Sequence, residues 1–546
     1  MIRIHPIEQS WPPEFQRRYR DAGHWQGETF GALLRERALH HPDRIAIVAG
    51  EQRWTYAQLD AHADAIAAGL LASGLQPGAP VLVHLPNIPE FLSVIFGLFR
   101  AGMLPVYVLP AHRIVELAHF ANTAEACGYI TVDQHAGCDY RDLARQLQSQ
   151  SDSVQTVVIV GEAEEFTSLA EVEQRGAGQT PPASASQPSD VAFLQISGGS
   201  TGLSKLIPRT HDDYIYTLRE SVSICGLNED SVFLGVLPIA HNFPMSSPGV
   251  LGAIYAGARI VLSTSPSPEA AFALIEREKV TTTSLVPPLL LLWLEAAGRQ
   301  SHDLSSLSVI QVGGAKLISE VAKRVRPVLG ATLQQVFGMA EGLVNYTRLD
   351  DTDDVIINTQ GRPISPDDEI RIVDDSGEPV AEGQPGHLLT RGPYTIRAYH
   401  NNPSANASSF TDDGFYRTGD IVRRTADGYL EVQGRSTDHI NRAGEKISAE
   451  EIEDHLLAHP QVFDAAVVSL PDEYLGERSC AFVIPKGEKP KAIVLKQWIR
   501  SRGLAEFKVP DQIVFVDQFA ATAAGKVSRR ELRALLRQQL TNEKNA

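Results

Sequence analysis

Val191-Ala192-Phe193-Leu194-Gln195-Ile196-Ser197-Gly198-Gly199-Ser200-Thr201-Gly202-Leu203-Ser204-Lys205 is the stretch on which the reading of this chain turns. Its first six residues are apolar enough for a buried strand. The nine that follow hold three glycines, four hydroxyls and a lysine. Residues without a Cβ let backbone N–H groups come close to a ligand, and hydroxyls with a lysine suit phosphate oxygens. The spacing is not that of a Walker loop, because no Ser or Thr follows Lys205. Alone, such a loop is more often a plain connection, so its reading as a polyphosphate cradle depends on its neighbours.

Upstream, Tyr56, Leu59, Ala63, Ile66 and Leu70 share one helical face that ends at Gly74. Residues 81–85 read as a strand, Pro89 opens a helix to about residue 100, and 103–109 read as a second strand. Downstream, strands are expected at 232–237, 259–262, 282–285, 308–312 and 333–337, again alternating with helices. Two such runs predict an α/β fold with two doubly wound sheets. Residues 180–188, rich in Pro and Ser, read as a connector, and 355–432, rich in Gly, Asp and Pro, as a small antiparallel β unit. Beyond residue 434 mixed α/β character returns, with strands at 462–469, 479–484 and 512–516 and helices at 492–502 and 528–539. Ser448 and Glu451 have the spacing of a capping box.

Composition narrows the function. A chain of 546 residues exceeds one core. A formal charge of -17 argues against nucleic acid and against an anionic membrane as partners. Met1-Ile2-Arg3-Ile4-His5-Pro6 lacks the apolar run of a signal peptide. The most apolar segment, 285–294, contains two prolines and is about half of what a bilayer crossing requires. Cys127, Cys138, Cys225 and Cys480 are dispersed without metal spacing, which suits a reducing cytoplasm.

Four more stretches carry candidate chemistry. Gln335-Val336-Phe337-Gly338-Met339-Ala340-Glu341-Gly342 runs from a strand into a loop whose carboxylate, Glu341, could hold Mg²⁺ against phosphate oxygens. In Tyr416-Arg417-Thr418-Gly419-Asp420 the Asp could accept from both ribose hydroxyls. Residues 434–448, with Arg435, Gly444 and Lys446, lie at a domain boundary, and Ala524-Gly525-Lys526-Val527 puts a lysine on a tight turn near the end of the chain. Each has a plain reading as a surface turn.

In this order and spacing the five stretches resemble the adenylate-forming superfamily of acyl- and aryl-CoA synthetases, luciferases and peptide-synthetase adenylation domains. The likeness covers nearly the whole chain. It implies an N-terminal domain over 1–433, with the two doubly wound sheets and a small β-barrel-like unit, and a small mobile α+β C-terminal domain over 434–546. Residues 241–249, 206–211 and 338–348 look most like stand-alone aryl-acid AMP ligases of siderophore biosynthesis. That resemblance implies ATP and Mg²⁺, an aryl acid, and an aryl carrier protein acting in trans whose phosphopantetheine thiol accepts the acyl group.

The same resemblance distributes roles. Lys526, Glu341 and His241 would be catalytic, with Glu341 the metal ligand. Ser197, Gly198, Gly199, Ser200, Thr201, Gly202 and Lys205 would hold the polyphosphate. Gly314, Val336, Phe337, Gly338, Asp420 and Arg435 would bind the nucleoside. Asn242, Phe243, Ser247, Gly314, Ala315, Ala340 and Val344 would line the acid pocket. Gly444 and Lys446 would face the site when the small domain rotates to admit the pantetheine arm. Two positions depart from the pattern: Ser204 replaces a usual Pro, and Thr437 stands where a hinge Asp or Lys is common.

Amino-acid-activating relatives carry Asp at the position of Asn242, so a neutral amide disfavours an amine-bearing substrate. Ser247 with Val344 favours 2,3-dihydroxybenzoate, whereas salicylate-activating relatives tend to have Cys and Leu there. Phe243, where catechol-acid enzymes often have Tyr, pulls the other way. Asn242 and Ser247 as mere caps of the helix after Pro248, an aryl-CoA ligase, and a silent nucleotide-binding module are the competing readings.

Overall fold

The computed structural model describes residues 11–545, apart from 180, 182–185, 198–203, 443–444, 473 and 523–524. Most of the proposed 180–188 connector therefore lies outside the described residues. Two large sheets dominate. In the seven-stranded one the order is Leu206–Thr210, Val191–Ile196, Leu104–Tyr107, Pro80–His84, Gly128–Val132, Thr156–Val160, Thr167–Ser168. In the nine-stranded one it is Arg362–Pro363, Val344–Tyr346, Thr332–Gly338, Val309–Gly313, Thr282–Leu285, Val232–Gly235, Arg259–Leu262, Ile45–Ala49, Gln52–Thr55. The central strands of both pair in parallel, and helices supply the crossovers. This is the doubly wound α/β class, twice over.

The local chemistry explains the helices between them. Tyr56–Ala72 starts at a capping box built by Thr55 and Gln58 and buries Leu59, Ala63, Ile66 and Leu70. Pro89 occupies the first turn of Pro89–Arg100, where its missing N–H costs nothing. Each sheet carries its own apolar core, one built around Phe91, Val106 and Phe193, the other around Val312, Trp293 and Leu333. Among the described residues no helix is long and apolar enough to cross a membrane.

The structure corrects two expectations. The small antiparallel unit does not begin at 355: Asp353–Asn358 is helical and Arg362–Pro363 extends the nine-stranded sheet, so the four-stranded sheet spans Glu369–Val373, Gly386–Arg391, Tyr416–Arg424 and Leu430–Arg435. Ser448 caps Ala449–Leu457 by accepting from the Glu451 N–H at 3.3 Å, but the Glu451 carboxylate pairs with Lys508 at 2.8 Å instead of closing the box.

After Gly434 comes a separate antiparallel-rich sheet, with Val462–Asp472 and Gly476–Pro485 as its longest pair, covered by Ala492–Ser501 and Arg529–Asn545. Leu457 and Phe463 pack onto the core of the nine-stranded sheet, and Lys486 reaches Glu295 at 2.6 Å, which Arg324 also meets at 2.8 Å. Gly434 has φ +110, a value that favours glycine, and a Cβ there would stand 3.4 Å from the Glu450 carboxyl carbon.

Candidate active site

The parallel strands Thr282–Leu285, Val309–Gly313 and Thr332–Gly338 end side by side, and the site is built at these carboxyl ends. Two adjacent glycines create its space. A Cβ on Gly313 would meet the Phe243 ring at 3.0 Å. On Gly314, at φ +82, it would meet Cε of Lys526 at 2.9 Å and Val286 at 3.4 Å. One glycine thus admits an aromatic wall, the other the lysine of the distant C-terminal turn.

That turn is held locally. Thr522 N–H donates to the Lys526 carbonyl at 2.7 Å, Gly525 N–H donates to the Thr522 carbonyl at 2.8 Å, and Gly525 has φ +77. Burial, assisted by Arg435 and opposed by Asp420 and Glu341, lowers the Lys526 pKa to about 8. The ammonium therefore lies in the field of both candidate carboxylates.

Asp420, 6% exposed, donates its N–H to the Thr418 hydroxyl oxygen at 3.0 Å, and its carboxylate pairs with Arg435 at 3.0 Å. Burial raises its carboxyl to about 6, with Arg435 acting against this. Arg435 also donates to the Thr418 carbonyl at 2.8 Å. The loop after Thr332–Gly338 is tightly constrained: at Gly342, φ +111, a Cβ would collide with the Tyr394 carbonyl at 2.3 Å, and the buried Leu343 is forced to φ +87. Glu341 emerges from this loop, 8% exposed, and accepts at Oε1 from the Tyr399 hydroxyl at 2.8 Å. The Tyr399 proton being committed there, its 3.1 Å contact with Tyr416 has Tyr416 as donor. Burial, reinforced by Glu341, pushes the Tyr399 hydroxyl far above its ordinary pKa. Lys205 places its ammonium 4.5 Å from the centre of the Tyr399 ring.

On the acid side, Asn242 Oδ1 accepts from the Tyr214 hydroxyl at 2.8 Å and from Ser246 at 3.4 Å, which fixes the orientation of its amide. Ser247 is 3% exposed and its hydroxyl adjoins that of Tyr346, which donates to Ser221 at 3.0 Å. Helix Gly249–Ala256 has no side-chain cap, so Asn242 and Ser247 do not serve as its caps. His241 caps Asn242–Ser246, accepting from Phe243 N–H at Nδ1 (3.2 Å). Burial, with Lys526 assisting, lowers it to about 3, so it is a neutral ring whose proton sits on Nε2. Val336 and Val344 are buried, Phe337 and Ala340 half-buried, and Gly338 and Ala315 exposed. The Ala340 carbonyl accepts from Arg209 at 2.8 Å.

Gly314, His241, Asp420, Arg435 and Glu341 thus come together around Lys526. Ser197 and Lys205 close the mouth of the loop, Ser197 N–H donating to the Lys205 carbonyl at 3.0 Å. Gly198, Gly199, Ser200, Thr201, Gly202 and Gly444, and the side chain of Lys446, lie outside the described residues. Tyr214, Gly313 and Tyr399 escaped the sequence reading. Tyrosines in apolar runs read as core, and only the second glycine of Gly313-Gly314 was singled out.

A twice-wound large lobe, with a lysine of a small C-terminal lobe set against the strand ends beside a buried Asp–Arg pair, is the architecture of an adenylate-forming enzyme. Residues 34–400 match the AMP-binding enzyme family and 451–526 the AMP-binding enzyme C-terminal domain; the chain belongs to this family. It is 58% identical over 530 residues to the 2,3-dihydroxybenzoate-AMP ligase of Bacillus subtilis, covering 97% of this chain and 98% of the relative. It is 51% identical to pyochelin synthase PchD of Pseudomonas aeruginosa, covering 97% and 96%. Among solved structures, apo MbtA of Mycobacterium smegmatis superimposes with a TM-score of 0.76 at 48% identity, over 96% of this chain and 98% of that one.

Proposed function

We propose that this chain activates an aryl acid, 2,3-dihydroxybenzoate, with ATP and then passes the aryl group to the phosphopantetheine thiol of an aryl carrier protein in trans. In the first step a carboxylate oxygen attacks the α-phosphorus and pyrophosphate leaves. In the second the thiolate attacks the mixed anhydride and AMP leaves. The observation that carries the reading is Lys526 seated against Gly314, facing Asp420 and Glu341.

A carboxylate is a weak nucleophile, and attack on an anionic phosphate adds negative charge. Rate therefore comes from alignment and from positive charge supplied where that charge grows. Lys526 bridges the carboxylate and the α-phosphate. Asp420 accepts from the ribose hydroxyls while Arg435 holds it. The 197–205 loop receives the outer phosphates, and His241, neutral, offers Nε2–H. Glu341 suits Mg²⁺: one oxygen accepts from Tyr399, and the other would meet the ion, whose remaining ligands would be water and phosphate oxygens. When bound, Mg²⁺ supplies charge neutralisation on the phosphates.

Substrate choice follows from the fixed amide of Asn242, a donor for the acid's carboxylate or 2-hydroxyl, and from Ser247, whose oxygen accepts from a 3-hydroxyl. Leaving that hydroxyl unpartnered in a dry pocket costs about 1–3 kcal/mol. Salicylate is the second reading, because Phe243 stands where catechol-acid enzymes often have Tyr. After adenylation, the unit beginning at Gly434 rotates as a mobile domain and brings Gly444 and Lys446 to the site.

The test is mass spectrometry of a mixture of enzyme, ATP, Mg²⁺, acid and a phosphopantetheine-bearing aryl carrier protein. 2,3-Dihydroxybenzoyl-AMP and an aryl-loaded carrier are expected. Equal loading of free coenzyme A would contradict the carrier assignment, and preference for salicylate the acid assignment.

A further inference from the structure

The side chain of Tyr399 stands between the two groups that the proposed reaction uses on the phosphates. Its hydroxyl donates to Glu341 Oε1 at 2.8 Å, and its ring face receives the Lys205 ammonium at 4.5 Å from the centroid. Tyr416 donates to the same hydroxyl at 3.1 Å and lies on the strand that carries Asp420. Tyr399 is 2% exposed and packs against Ile207, Ile396 and Tyr416. We infer that Tyr399 is a positioning residue that sets Glu341 for the metal with its hydroxyl and Lys205 for the phosphates with its ring.

The two contacts use different parts of one side chain. The phenolic proton fixes one carboxylate oxygen, so the other has a single direction in which to meet a hard cation; outer partners of metal ligands act in this way. The ring attracts the ammonium through its π face, an interaction that survives loss of the hydroxyl. The inference rests on the assignment of Glu341 and Lys205 proposed above, and it separates their contributions.

Three variants make the test: Tyr399→Phe, Tyr399→Leu and, as reference, Glu341→Gln. Two readouts are used: the Mg²⁺ concentration giving half-maximal pyrophosphate exchange, and Mn²⁺ binding to the protein with a non-hydrolysable ATP analogue, followed by electron paramagnetic resonance. Tyr399→Phe should raise the Mg²⁺ requirement and weaken Mn²⁺ binding by about 10-fold, the lower end for outer partners of a metal site. Its metal-free affinity for the ATP analogue should stay within about twofold of wild type, since the ring is kept. Tyr399→Leu should lose metal-free affinity as well. Wild-type Mn²⁺ binding in Tyr399→Phe, with Glu341→Gln impaired, overturns the role of Tyr399. Wild-type Mn²⁺ binding in Glu341→Gln overturns the metal assignment itself. If Tyr399→Leu does not fold, Tyr399→Phe still decides the hydroxyl, and Tyr399→Trp, which keeps a π face, replaces it for the ring: unchanged metal-free affinity is expected, and a loss equal to that of Lys205→Ala overturns the ring's part.

Discussion

The acid pocket and the Lys526 turn meet at the same pair of glycines but are made in opposite ways. Asn242, Ser247 and Phe243 are fixed by neighbours within the large lobe, namely Tyr214, Ser246, Tyr346 and Gly313. The backbone of Lys526 is held by a local turn, and its side chain enters beside Gly314 from a lobe whose other contacts with the large one include Leu457, Phe463 and the Lys486–Glu295 pair. On the proposed function, a pocket held by buried hydrogen bonds would select the substrate, while a lysine on a separate lobe would supply charge for one half-reaction and leave for the next. Specificity and chemistry should therefore break separately.

The largest effect should follow Lys526→Ala. Adenylation is expected to fall by about 10²–10³-fold, the loss typical of removing a group aimed at developing charge. Thioester formation from preformed aryl-adenylate should stay near wild type; equal loss of both steps would show that the lysine is not confined to the first.

Gly314→Ala sharpens the same contrast from the large-lobe side. The added methyl would occupy the space of Lys526 Cε, 2.9 Å away, at φ +82. Displacing a reacting group by about 1 Å costs about 10²-fold, so adenylation should drop by nearly that factor, and Km for the acid should move less than kcat. Unchanged kcat would mean that the lysine does not need this space.

pH probes the turn without mutation. Asp420, raised to about 6, must be ionised, so kcat/KM for adenylation should fall as pH drops through that value. Lys526, lowered to about 8, must be protonated, so it should fall again as pH rises through that value. In Lys526→Ala the alkaline limb should vanish and the acid limb remain.

Ser247→Cys should act on the pocket alone, shifting the kcat/KM ratio of salicylate to 2,3-dihydroxybenzoate by about 5–20-fold toward salicylate, in line with one lost hydrogen bond. An unchanged ratio would remove Ser247 from acid selection. The smallest effect is expected from Glu295→Ala. Ion pairs exposed to this degree contribute about 0.2–1 kcal/mol, so adenylation should change by less than about fivefold, and a larger loss would mean that this pair governs lobe docking.

Local pattern made much of this architecture readable. The face of Tyr56–Ala72, the helix start at Pro89 and the buried parallel strands follow from periodicity and backbone chemistry alone. What escaped depends on how segments pair in three dimensions. Leu206–Thr210 folds back antiparallel onto Val191–Ile196, a pairing that a continuous buried run does not encode. Arg362–Pro363 joins a sheet whose other members lie earlier in the chain, and Glu451 finds Lys508 rather than its own helix start. Within the site, the glycine loop, Glu341, Asp420 and Lys526 stood out through their shared order and spacing, since each alone reads as a plain turn. Tyr214 and Tyr399 did not, because a buried tyrosine needs no ligand to explain it.

Acid-dependent exchange of labelled pyrophosphate into ATP, run with Mg²⁺ over a panel of benzoic acids, tests the central claim most directly. The account predicts rapid exchange with 2,3-dihydroxybenzoate, weaker exchange with salicylate and none with amino acids. Absence of exchange with every aromatic acid would contradict it.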